Sequence, residues 1–232
     1  MKKHISIFLV LALSFFLFSC QKGATGPAGA TGTTPSDSVH TAVYQQGVAT
    51  YAGCYDARIW NELPDANYGS VSSSMVGTYS TDQAKRFIIE FYINDIPPDA
   101  QIQKTVISLK SDNTMFESPS FTFYEMDTPW MENETTWNES QTAVSWTTPG
   151  GDYDDTTPVS NSVSVGEAYT WYSWTVDKSL IESKISDPSS TYGFILVRDN
   201  EISYGDNQAE FIYSEYGTAE DRPKLTIYYT LP

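Results

Sequence analysis

Histidine is almost absent from this sequence. There are two, His4 and His40, and both lie ahead of the long body of the chain. That removes the ordinary general base and the commonest nitrogen ligand. Ser-His and Cys-His nucleophiles and His-built metal centres are therefore excluded for the body. Cysteine is as scarce: Cys20 sits near the start, and Cys54 is the one thiol of the body. It cannot close an intrachain disulfide there, so the fold has to rest on its core. Cys54 lies in a strand-like run with Tyr51, Tyr55 and Ala57 and reads as a buried, inert thiol. Positive charge is also short, with 13 Lys and Arg against 29 Asp and Glu and a net charge of −16. Such a chain repels polyanions at long range, and it shows no basic stripe with interleaved aromatics, so nucleic acid is excluded as a partner.

What is present begins with an address. Lys2 and Lys3 precede an apolar run from Ile5 to Phe18. The run is shorter than the roughly 20 residues that span a bilayer and has the length of a signal-peptide core. It ends Leu17-Phe18-Ser19-Cys20, which resembles a lipobox, with Phe18 departing from the small residue usual at its place. The expectation is a signal peptide over residues 1–19 and a lipidated Cys20 holding the protein to a membrane. Removing Lys2 and Lys3 leaves 11 basic residues against 29 acidic ones, or −18. Gln21 rather than Asp favours the outer membrane, so the expected location is the cell envelope, as an outer-membrane lipoprotein. Glycine then recurs every third residue at Gly23, Gly26, Gly29 and Gly32, as in collagen. Four triplets are too few for a triple helix, and residues 20–38 read as the lipidated cysteine and a flexible spacer.

From residue 39 to 232 the periodicity is that of strands. Phe87, Ile89, Phe91 and Ile93 alternate with Ile88, Glu90, Tyr92 and Asn94. Phe121 and Phe123 alternate with Thr122 and Tyr124, and Leu225, Ile227 and Tyr229 with Thr226, Tyr228 and Thr230. Tyr192 to Val197 is nearly continuous in apolar residues and suits a central strand. Turn chemistry separates the runs, as at Asn67-Tyr68-Gly69 and Pro149-Gly150-Gly151-Asp152. One segment, Asp177 to Ile185, reads as helix, with an acidic cap at its start and Asp187-Pro188 beyond its end. The pattern predicts an all-β fold. The expected form is a single antiparallel β-sandwich, jelly-roll-like, with about nine or ten strands and one short helix.

Five segments carry a resemblance. They are Asp56-Ala57-Arg58-Ile59 with Asn67-Tyr68-Gly69; Arg86 to Phe91 leading to Ile96-Pro97 and Ala100-Gln101-Ile102; Trp130-Met131-Glu132 with Thr135-Thr136-Trp137-Asn138; Trp146 to Asp152; and Arg222 to Ile227. In this order they resemble the DNRLRE domain family, also classed as carbohydrate-binding module family 96, over roughly residues 50–230. The resemblance implies a β-sandwich on secreted or surface proteins, and in some members binding of acidic polysaccharide such as alginate. The strong negative charge here opposes a polyanionic ligand, and no enzyme domain accompanies the module.

The expected function is therefore a non-catalytic polysaccharide-binding module on the cell envelope. The alternatives are a structural or adhesive surface protein with protein partners and, third, a glycoside-active enzyme. Sugar binding needs aromatic faces beside polar groups. Trp60, Tyr153 and Trp171 lie next to turns or out of phase with the core face and are the candidate platforms, with Arg58 as a candidate for a sugar carboxylate. Trp137 and Trp174 read as core. Glu132 and Glu134, if on a strand, would share a face about 7 Å apart, the spacing of an inverting glycosidase, although packing is the favoured reading. The acidic loop carrying Asp152, Asp154 and Asp155 is the candidate calcium site, since calcium takes several oxygens from a flexible loop.

Overall fold

The computed structural model describes residues 38–80, 82–113, 117–201 and 207–232. The expected signal peptide, Cys20 and nearly all of the expected glycine-repeat spacer lie outside them.

Thirteen strands are present among the described residues, rather than nine or ten. They are β1 (His40–Gln45), β2 (Cys54–Trp60), β3 (Ser73–Thr78), β4 (Ala84–Phe91), β5 (Gln101–Lys110), β6 (Ser120–Glu125), β7 (Glu139–Gln141), β8 (Val144–Ser145), β9 (Val163–Ser164), β10 (Trp171–Val176), β11 (Phe194–Arg198), β12 (Asn207–Ile212) and β13 (Lys224–Thr230). The excess lies in β7, β8 and β9, which are two or three residues long and too short to show a period. The helix α1 spans Lys178–Ser186, and Asp177 caps it by accepting from the Ser179 N–H at 2.9 Å.

Every strand pairing is antiparallel. One sheet has the order β1-β13-β5-β10; the larger has β12-β3-β4-β11-β6-β9, with β2 paired to β4. First and last strands are neighbours. Renumbering β1, β4, β5, β6, β9, β10, β11 and β13 as one to eight gives 1-8-3-6 facing 2-7-4-5. That is a jelly-roll order of the sandwich expected from the sequence.

The core between the sheets is aromatic. Trp174 of β10 meets Phe123 of β6 edge-on, with centroids 5.4 Å apart, and Phe211 of β12 at 6.1 Å. A second buried cluster lies on the other face of the larger sheet. There Ala57, Ile59, Ile88, Ile195 and Val197 are covered by Met126, Trp130 and Trp146. The excursion from 127 to 157 supplies both tryptophans. The larger sheet is thus buried on two faces over much of its area, which is why β11 has no exposed residue.

Candidate functional site

The excursion leaves one end of that outer face open. On it stand Tyr55 of β2, 45% exposed, and Tyr92, just beyond β4, 50% exposed. Tyr55 is paired with Glu90, so the two side chains share the face. Two clefts meet at Tyr55. The first, of about 460 Å³, is walled by Tyr44, Tyr51, Tyr55 and Tyr92, with Asn94 and Asp95 among its polar groups. The second, of about 480 Å³, has Tyr55, Trp130 and Met131 beside Glu90, Glu132 and Glu134.

Three rings beside Tyr55 and Tyr92 are held in place. The Tyr44 hydroxyl donates to Asp95, and the Tyr51 hydroxyl to the Gly53 carbonyl at 2.6 Å. Burial pushes both phenols well above their ordinary range, so they stay neutral donors. Trp130 donates its indole N–H to the Tyr192 carbonyl at 2.8 Å. Glu90 is bound to Lys184 at 2.6 Å. Flat rings with fixed faces next to carboxylate and amide acceptors match the two needs of a pyranose, an apolar ring face and equatorial hydroxyls.

The candidates chosen from sequence are not gathered in one place. Arg58 and Trp60 are together, but they stack on each other. The Arg58 guanidinium lies 3.7 Å above the Tyr68 ring and 5.1 Å from Trp60, and it donates to Ser74 at 2.6 Å. Lys85 Nζ sits 4.7 Å from the same indole. Trp171 carries Lys224 Nζ 3.8 Å above its ring. These rings are partners of internal cations. Tyr153 is half-buried against Tyr124 and the Arg86 guanidinium, and burial pushes its hydroxyl up to about 12. It lines a third cleft, of about 530 Å³, with Asp152 and Asp155.

The acidic loop is closed on itself. Asp152 accepts from the N–H groups of Thr147 and Thr148, at 2.9 and 3.0 Å, and from the Thr128 hydroxyl. Asp154 accepts from Thr156. Among the described residues, the acidic, His or Cys side chains that come together in a group of three are instead Asp56, Glu132 and Glu215, each with a carboxylate oxygen within 4.8 Å of the others. Asp152, Asp154 and Asp155 form no such group.

Glu132 and Glu134 stand in a turn, not on a strand. Glu132 accepts from the Asp56 N–H at 2.8 Å and Glu134 from the Thr142 N–H at 2.8 Å. Burial raises the Glu132 carboxyl, the Asp56 N–H opposes that, and Glu215 adds to it, leaving the group at about 7. Cys54 is buried and its thiol is pushed well up by desolvation, as an inert thiol should be.

Sequence reasoning missed Tyr55 and Tyr92. The available signal for Tyr92 was its alternation with Ile88 and Glu90, out of phase with Phe87, Ile89 and Phe91; Tyr55 comes beside Glu90 only through the pairing of β2 with β4. Comparison with protein families finds that the model of carbohydrate-binding module family 96 matches residues 48–229. No curated protein matches the chain.

Proposed function

Because the chain belongs to carbohydrate-binding module family 96, we propose that it is a non-catalytic module that binds polysaccharide through the Tyr55–Tyr92 face. The observation that carries this reading is the exposed tyrosine pair at the junction of two ring-walled clefts. A chain of sugars needs a platform open at both ends, and the two clefts sharing Tyr55 offer one. Of the acids beside it, Glu132 and Glu134 each give one oxygen to a backbone N–H, of Asp56 and Thr142, and Glu90 is paired with Lys184, an arrangement that suits holding loops rather than activating water. The same reading places the module on the cell envelope through Cys20, with the glycine-repeat segment as its tether; this rests on the residues quoted above.

The test is binding of the purified full-length chain to a panel of neutral and acidic polysaccharides. Saturable binding to one class is expected, with no reducing ends released. Tyr55→Ala and Tyr92→Ala should each weaken it at least about tenfold, the size of losing one stacking ring at a binding hot spot. Trp60→Ala and Trp171→Ala should leave it within about twofold. Binding that ignores the tyrosines but depends on Trp60 would overturn the location. No binding by a folded chain would move the function to protein contacts. Labelling with radioactive palmitate, lost in Cys20→Ser, checks the anchor.

A further inference from the structure

We propose that Asp56, Glu132 and Glu215 form a binding site for one calcium ion, at the junction of three segments distant in sequence. Asp56 comes from β2, Glu132 from the turn after β6, and Glu215 from the turn after β12. One carboxylate oxygen of each lies within 4.8 Å of the other two. Two oxygens on opposite sides of a calcium ion, each at about 2.3–2.6 Å, stand roughly 5 Å apart. The three groups therefore fit inside a single coordination sphere.

A second observation points to a ligand rather than to a chance grouping. Asp56 is fully buried. Its Oδ2 accepts from the Ser214 N–H at 2.9 Å, while its Oδ1 has no hydrogen-bond donor. A buried carboxylate oxygen without a partner is costly, and a cation shared with Glu132 and Glu215 would satisfy it. The basic side chain that acts on Glu215 is Arg222, whose Nε and Nη1 donate to the carbonyls of Tyr216 and Gln46.

The donor set narrows the class of ion. All three ligands are carboxylates, which suits a hard cation and not a thiophilic or imidazole-seeking metal. The burial grades from Asp56 inside to Glu215 outside, so an ion has an entrance. The surroundings hold Glu132 in position. Asn67 donates to the carbonyls of Glu132 and Thr135, both at 2.8 Å. Gly69 packs so closely that a Cβ there would fall 1.9 Å from the Glu132 carbonyl oxygen. The Asn-Tyr-Gly turn thus acts as a clamp on the ligand-bearing segment. None of this depends on what the tyrosine face binds, because the ion is read out by its own binding.

Calorimetry and thermal unfolding of the metal-stripped full-length chain, titrated with calcium, test the site. The expected result is one ion per chain and a rise in Tm of about 5–10 °C at a hundredfold excess over Kd. Glu215→Gln, on the exposed side, should weaken binding at least about tenfold. Glu132→Gln should abolish it while keeping the fold, since the Gln oxygen still accepts from the Asp56 N–H. Asp152→Asn, whatever it does to the baseline stability, should leave the calcium affinity and the calcium-dependent rise in Tm unchanged. A folded chain that gives neither heat nor a Tm shift overturns the proposal. So does binding that survives both glutamine variants, or binding lost in Asp152→Asn alone, which would put the ion in the 152–155 loop.

Discussion

At the scale of single residues, what a carboxylate accepts decides what it can still do. Asp152 is spent on its own turn. Burial raises its carboxyl, but the N–H groups of Thr147 and Thr148 and the Thr128 hydroxyl more than offset that, leaving it below the usual carboxylate range. A carboxyl whose folded pKa lies below its unfolded one stabilises fully above the unfolded value, near about 4, and loses that as pH falls through the folded value. Asp152→Ala should therefore cost about 1–2 kcal/mol in urea unfolding at pH 7, the order of the lost hydrogen bonds to a partly exposed acceptor. The deficit should shrink as pH drops below about 4. A deficit that is flat with pH would mean the loss is one of packing, not of charged acceptors. Two of the aromatic candidates chosen from sequence, Trp60 and Trp171, carry cations on their rings. Lys85 stands opposite Trp60 across β2 and β4, and Lys224 reaches Trp171 from β13. A ring looks free in sequence until the sheet sets a cation from another strand over it, here from β4 next to Trp60 and from β13 across β5 from Trp171.

At the scale of elements, the strands that were legible are those with a clean period. The alternation of β4 and β13, the unbroken apolar run of β11, and the acid that caps α1 each follow from local rules and are found in place. The path of the excursion from 127 to 157 was not legible, because it has almost no period, although its motif segments carry the family resemblance. Its ladder is β7 against β8 alone, and its shape is set by side chain-to-backbone bonds. Yet it makes the second core. Trp146 is buried against Ile59, Ile88 and Ile195 in that cluster and donates to the Thr136 carbonyl at 2.9 Å. Trp146→Ala should cost about 3–5 kcal/mol, as for other large buried rings. Amide exchange should rise across 127–157 while the strands of the inter-sheet core stay protected. Equal loss of protection in both regions would show that the excursion and the sandwich unfold as one unit.

At the scale of the whole molecule, charge sets the class of polysaccharide. The net charge is −16, and several of the basic side chains face inward onto partners: Arg86 onto Glu201, Lys110 onto Asp221, Lys184 onto Glu90. The two clefts of the tyrosine face are lined by Asp95, Glu90, Glu132 and Glu134 and by no Lys or Arg. A uronate chain approaching this face meets its own sign both at long range and on contact. A neutral polysaccharide meets rings and acceptors, whose strength does not depend on salt. The expected ligand is therefore neutral, with an affinity that varies less than about twofold between roughly 50 and 500 mM salt. An acidic polysaccharide should bind in chelator only weakly, and better as salt screens the repulsion. If it instead binds tightly at low salt without calcium, the charge argument fails, because the face must then present a cation that its lining residues do not contain.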